Sequence, residues 1–479
     1  MLTTLHNMLQ YKSKSKGETM KFTKLVLTAA FVALTAPAMA QVDAKVTGRV
    51  HFDTRTFQTD LTDSVDRDSA SVGDNFELRR ARIGINGSSN KQINYELVGN
   101  AVGGTTNFID TAFVNYGFNQ AAQLRTGRFK QPFSLEELTS SNNIGFMERS
   151  YGNQLVPGKR LGVMLHGEPG AGIVYGVSAF QGDFTESSSD NTLGAQYAAR
   201  VAVNFGQLIS KPNTVLHLGV ARTGGSSQMV PTTSGSTVDA PSTTTRGTIV
   251  SMRSEARGMS NIYRAQIGGD KIDTAAYSTA ANNAVTVNRA MNGIELALAH
   301  GPFKLQAENF DSNYSASANT YNYVTGATSC VTTACVATQD VRVQAKYVEA
   351  MYNITGEDFA KSYKGGAFGG ITPSSVFMKD YGGVVGNGTG AWQVGVRVSE
   401  YTATSSNSVD GAVTGNRTQN STGARTVTYG VNWILNNNAR IMANYATTKF
   451  DTAIAPLDTT DMGTTSKENV VSIRTQINF

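Results

Sequence analysis

The chain has 479 residues and a formal charge of +5; 40 % of residues are apolar, 16 % charged and 9 % aromatic, with 48 Gly, 10 Pro and 2 Cys. No run of about eighteen apolar residues occurs, which excludes a helical membrane protein, and two cysteines exclude a disulfide scaffold or a multi-cysteine metal centre. Charge far below the usual ~25 %, with abundant Gly, Thr, Asn, Tyr and Phe, points to a β-rich protein of the cell exterior.

The first element is an export signal. Met20-Lys21-Phe22-Thr23-Lys24 is a cationic start, Leu25–Leu34 an apolar stretch, and Ala38-Met39-Ala40 a small-residue cleavage site. Residues 20–40 are expected to be a secretory signal peptide, too short to stay as a span, and residues 1–19 an upstream extension before the true start at Met20. Removing residues 1–40 takes away five lysines and one acid. The remaining chain, 41–479, is close to neutral, so a nucleic-acid partner loses its support.

Period-two alternation follows along the rest of the chain. It predicts strands over 44–57, 75–87, 93–102, 107–118, 122–129, 160–168, 173–182 and 194–205, then 214–223, 285–300, 303–312, 341–354, 391–403, 423–435, 439–449 and 468–479. These segments match tilted membrane-spanning strands, and their even number suits a closed bacterial barrel. The expected fold is all-β: a sixteen-stranded antiparallel transmembrane β-barrel. With the N-terminus in the periplasm, periplasmic turns are short and outer loops long, at 58–74, 130–159, 224–284, 313–340, 404–422 and 450–467. Residues 355–390 are an exception, a long periplasmic connection. Residues 224–284 could hide a further strand pair around Tyr263 or Ala275. A sheet in lipid must close, because lipid satisfies no backbone hydrogen bond. Phe479, an aromatic last residue on an amphipathic strand, resembles an outer-membrane assembly address.

If apolar residues face lipid, the alternate set faces the lumen. This places Lys45, Arg49, Arg80, Arg82, Arg125, Arg160, Arg200, Lys304, Arg342, Lys346, Arg397, Arg440 and Arg474 inside, against the acids Asp53, Glu295 and Glu308. Such a wall concentrates anions, and the arginine fork suits phosphate and carboxylate. Arg79 and Arg80 cannot both point inward on a regular strand. Phe76 and Leu78 set one phase, Ile83 and Ile85 the other, and a β-bulge over 79–82 would reconcile them.

Phe76-Glu77-Leu78-Arg79-Arg80-Ala81-Arg82, Gly127-Arg128-Phe129-Lys130-Gln131-Pro132-Phe133-Ser134-Leu135-Glu136, Thr139-Ser140-Ser141 and Phe146-Met147-Glu148-Arg149 resemble the phosphate-selective porin O and P family. Tyr347-Val348-Glu349-Ala350, Thr355-Gly356-Glu357 and Gly390-Ala391-Trp392-Gln393 continue the match. The resemblance implies a homotrimer in outer-membrane lipid and lipopolysaccharide, a third outer loop (130–159) folded into the lumen, and a long periplasmic connection like 355–390. It also associates the basic pair Arg79-Arg80 with anion passage and aligns Arg149 with a loop arginine at the constriction. Lys130, Glu136, Glu137 and Glu148 belong to that constriction loop. Strongly phosphate-selective members carry lysine where Glu137 stands, which weakens any specific phosphate site here.

Cys330 and Cys335, in an outer loop, are expected to form a local disulfide. No histidine or third cysteine lies near them, so no metal site is expected. No Ser and acid accompany the histidines, so neither an enzyme nor a cofactor is expected. Trp392, Trp433, Tyr429, Tyr116 and Phe118 read as interface girdle. The expected function is a passive outer-membrane porin preferring phosphate and similar small anions. The alternatives are a general diffusion porin and a surface adhesin or receptor. Deleting 224–284 would separate the last, since conductance is expected to survive that deletion in a porin.

Overall fold

The computed structural model describes residues 42–59, 75–89, 92–102, 108–181, 194–229, 247–258, 262–267, 285–320, 335–377, 388–407, 421–454 and 465–479. The expected signal peptide, the expected upstream extension and Cys330, with the disulfide expected for it, lie outside them.

The first barrel strands are β1 (Val42–Thr59), β2 (Asn75–Ser89), β3 (Ile93–Asn100), β4 (Ile109–Asn119) and β5 (Ala122–Lys130). They are followed by β6 (Lys159–Gly170), β7 (Ile173–Gln181), β8 (Ala195–Asn204) and β9 (Thr214–Met229). A separate two-stranded sheet, β10 (Gly247–Met252) with β11 (Tyr263–Ile267), interrupts the series. The barrel resumes with β12 (Val285–His300), β13 (Phe303–Thr320) and β14 (Cys335–Asn353). A hairpin of β15 (Tyr363–Lys364) and β16 (Ala367–Phe368) precedes β17 (Ala391–Asn407), β18 (Gly423–Ile434), β19 (Ala439–Ile454) and β20 (Thr465–Asn478). Sixteen strands thus close into one antiparallel barrel in chain order. β1 pairs β20 from Arg49 opposite Asn478 to Thr59 opposite Glu468. Phe479 finishes the seam through backbone bonds with Gly48 of 2.8 and 3.1 Å.

Alternation explains the wall. Along β12, Ile294, Leu296 and Leu298 are exposed while Glu295, Ala297 and Ala299 are buried. Several strands outrun their expected ends. The β13–β14 ladder runs unbroken from Phe303 opposite Tyr352 to Thr320 opposite Cys335, through residues expected to be loop. Ser, Asn, Thr and Ala dominate both faces there, so the pattern fades while the backbone ladder continues.

Inserts occupy part of the interior. The 131–158 connection crosses the bore, and its backbone groups, which cannot stay unpaired inside, are met by inward side chains. Glu308 of β13 accepts from the Leu135 and Glu136 N–H groups at 3.0 and 2.7 Å. Asn444 of β19 accepts from Met147 N–H at 2.7 Å, and Asn432 of β18 donates to the Gly145 carbonyl at 2.9 Å. Hairpin β10–β11 packs beside this segment. Ile249, Met252, Ile262 and Tyr263 share one buried cluster with Phe133, Tyr151 and Leu155, and with Val341, Val343 and Ala345 of the wall. From the opposite end, Phe359 and Phe368 of the 354–390 connection pack on Leu135, Phe146 and Met351.

Candidate functional site

Among the described residues, a cavity of about 760 Å³ opens against the β1–β8 side of the bore. Its bases are Arg49, Arg79, Arg80, Arg82, Arg125, Arg128, Lys130, Arg149, Lys159, Arg160, Arg200, Arg253 and Arg257, and its acids are Glu96, Asp110, Glu137, Glu148, Glu168 and Glu255.

Two phase slips crowd these bases onto one face. Leu78 and Ile83 are five positions apart yet both exposed, so β2 changes phase between them, and Arg79, Arg80 and Arg82 all line the cavity. In β5, Arg125 and Arg128 both reach the cavity across Gly127. Gly127 has φ +128°, and a Cβ there would lie 2.2 Å from the Ala112 carbonyl oxygen. Only glycine fits such a site. Gly127→Ala should therefore cost at least about 2 kcal/mol and re-aim both arginines, read as a lower melting temperature with reduced anion preference. A variant matching the unaltered chain in both would refute this role.

Several cations carry no ion pair with any described residue. Arg49 donates to Ser141 at 2.9 Å, Arg80 lies 3.5 Å from His51 Nδ1, and Arg125 sits 4.3 Å over the Phe113 ring. Arg257, carried in by the outer connection at φ +66°, also makes no ion pair among the described residues. Burial lowers it to about 10, with Glu148 opposing and Arg79 adding to the fall.

The 131–158 segment is tied down by its acids. Glu148 is held by Arg79 at 3.0 Å, Arg55 at 3.1 Å and Arg474 at 3.4 Å. Asp53 in turn braces Arg474 and Arg55, each at 2.6 Å. Glu136 accepts from Ser150 Oγ at 2.6 Å and from Arg397 at 3.1 Å. Burial raises its carboxyl, and Arg397 only partly offsets that. Arg149 donates to the Thr139 carbonyl at 2.8 Å and faces Glu137 at 3.6 Å. Lys130 bonds the Glu137 carbonyl and lies 3.6 Å from its carboxylate. Burial raises the Glu137 carboxyl, but Arg149 and Lys130 outweigh it and hold it low.

Other expected wall bases fall elsewhere. Arg342 and Lys346 face outward, paired with Asp311 at 2.7 Å and Glu400 at 2.8 Å. The assumption that apolar residues face lipid fails there, because Val341, Val343 and Ala345 are buried against the inserts instead. Arg397 points inward but is sealed between Glu136 and Glu255, the latter at 2.6 Å, and is absent from the cavity lining. Lys304, Arg440 and Arg474 are likewise buried, and Lys45 is exposed. Glu96, Asp110, Glu349 and Glu468 were not expected inside; Glu96 and Asp110 line the cavity and Glu349 and Glu468 are buried. Arg253 and Arg257 were missed because their segment reads as an outer loop. They line the cavity, so deleting 224–284 would change the channel rather than spare it.

The family model for phosphate-selective porin O and P matches residues 44–479. The chain is 26 % identical over 420 residues to Porin O of Pseudomonas aeruginosa, covering 85 % of this chain and 83 % of that one. Among solved structures it is similar to a loop L8 deletion mutant of OmpT, an outer membrane protein of Vibrio cholerae, with 11 % identity, TM-score 0.46 and coverage of 91 % and 99 %. The outer membrane channel DcaP of Acinetobacter baumannii gives 13 % identity, TM-score 0.46 and coverage of 91 % and 97 %. With the family match spanning nearly the whole barrel, the chain belongs to the phosphate-selective porin O and P family, a channel protein of the bacterial outer membrane.

Proposed function

We propose that this channel is passive and anion-preferring, that it admits phosphate and similar small anions, and that it works as a trimer once residues 20–40 are removed. The observation that carries this reading is the cavity itself, which Arg49, Arg80, Arg125 and Arg257 line without an ion-paired carboxylate among the described residues. A concave cationic wall draws anions in, and several individually weak sites let them leave. Arg253 and Arg257 would receive an anion from the outer side, Arg79, Arg80 and Arg149 would pass it through the constriction, and Arg125 would release it.

Glu137 limits phosphate affinity, since it lines the cavity and offsets Lys130 and Arg149. Phosphate titrated into chloride should therefore reduce single-channel current with a midpoint near or above about 1 mM, the range of a weak site. No reduction at tens of millimolar would refute phosphate entry. Glu137→Gln should free both bases, strengthen the block and raise chloride-over-potassium permeability roughly fivefold, from about 1 kcal/mol of Coulomb energy. An unchanged ratio would mean that Glu137 does not act on the permeant ion.

A further inference from the structure

We propose that the channel takes small zwitterions in which a phosphate and an ammonium are joined by a short carbon linker, the phosphate on Arg125 and the ammonium on Glu96 and Glu168. This rests on the anion-preferring reading above and narrows its substrate class. Arg125 and Glu96 line the same cavity and are held apart in it. Arg125 of β5 places its guanidinium 4.3 Å over the Phe113 ring and donates to Asn115 Oδ1 at 3.3 Å. Phe113 of β4 lies directly opposite Glu96 of β3. Phe113 therefore stands on the strand between the two charges, and neither charge makes an ion pair with a described residue.

Glu168 adds a second acid at the same end of the bore. It lines the cavity two residues before β6 ends at Gly170, and its backbone N–H donates to the Gln120 carbonyl in the β4–β5 turn at 2.8 Å. A Cβ at Gly365, in the turn of hairpin β15–β16, would lie 3.2 Å from its Oε1. Glu168 makes no ion pair with a described residue either. Arg200, which also lines the cavity, is taken by Glu295 at 2.7 Å. The bases of β2 lie further along the bore. Asn86 opposes Glu96 and is four positions from Arg82, about 13 Å of strand. The cavity is thus graded, with bases toward the outer loops and unpaired carboxylates toward the β2–β3 and β6–β7 turns.

This gradation pushes on a plain anion and holds a dipolar one. A phosphate leaving Arg125 meets two carboxylates that no base neutralises, and each repels it. An ammonium on the same molecule turns that repulsion into attraction, while the phosphate keeps the arginine fork. A plain cation entering from the outer side must first pass Arg79, Arg80 and Arg82. Acids that only brace the wall would be paired, as Glu148 and Asp53 are.

The test is block of single-channel chloride current through the purified full chain by 2-aminoethyl phosphate, compared with ethyl phosphate, which is close in size and lacks the amine. E96Q/E168Q should raise the midpoint for 2-aminoethyl phosphate about fivefold, the factor for one opposite charge at about 4 Å in water. The same variant should lower the midpoint for ethyl phosphate. Neither substitution breaks an ion pair among the described residues, so the variant should melt with the unaltered chain. Should the double variant fail to fold, E96Q and E168Q singly should show the same pair of opposite shifts. Midpoints that move in the same direction for the two phosphates, or an unmoved midpoint for 2-aminoethyl phosphate, would overturn the proposal. Absence of block by ethyl phosphate in the unaltered chain would overturn the anion-preferring reading, and this inference with it.

Discussion

Glu148→Ala should loosen the 131–158 segment and cost about 3–5 kcal/mol, the usual effect of stripping one partner from a buried charge network. Its carboxylate is shared by Arg79, Arg55 and Arg474 at 3.0 to 3.4 Å. Arg55 and Arg474 are almost fully buried, so water cannot replace the lost acid. The expected readout is a lower melting temperature of the folded barrel together with flickering open-channel current. A variant that melts with the unaltered chain and conducts quietly would show that Glu148 is not an anchor.

The same network sets a pH dependence. Burial raises the Glu148 carboxyl, but Arg79, Arg257 and Arg474 together hold it well below the usual carboxylate range. A depressed folded pKa contributes stability that is full above the unfolded value near 4.3 and is lost as pH falls through the folded value. Lowering the pH from 7 to 5 should therefore leave the channel quiet. Loss of the Glu148 carboxylate signal within that window, read by difference infrared spectroscopy against Glu148→Gln, would contradict the assignment.

Neutralising the open bases should act on ions rather than on stability. The triple variant R80Q/R125Q/R257Q is expected to lower chloride-over-potassium permeability roughly tenfold. Each charge contributes about 1 kcal/mol near a permeant ion in water, screened over about 8 Å at physiological salt, so the three effects overlap rather than add fully. The matched control is R342Q/K346Q, two outward bases paired with Asp311 and Glu400, which should leave the ratio unchanged. Equal effects from both variants would mean that net charge, not the cavity wall, sets selectivity.

These contrasts also show what was legible in the sequence. Alternation at Ile294, Leu296 and Leu298 located a membrane wall because lipid on one side and water or packed protein on the other impose the pattern. The same rule misplaced Arg342 and Lys346, since β14 there backs onto a packed insert and the apolar residues turn inward. It also overstated the charge excess, because loop acids such as Glu136, Glu148 and Glu255 enter the bore and seal Arg397 and Arg474. No local periodicity marks a loop that folds inward. The crowding of Arg79, Arg80 and Arg82 was readable from the clash of phases between Leu78 and Ile83, whereas Gly127 does the same in β5 through its φ alone. Arg257 had no sequence signal, since its segment reads as a Ser/Thr/Gly-rich outer loop.

The most direct test of the cationic path is the reversal potential of the purified channel in a planar bilayer across a tenfold potassium chloride gradient. The sign should be that of chloride carrying most of the current, and it should persist when chloride is replaced by phosphate. A zero potential, or one of the sign for potassium, would contradict the account.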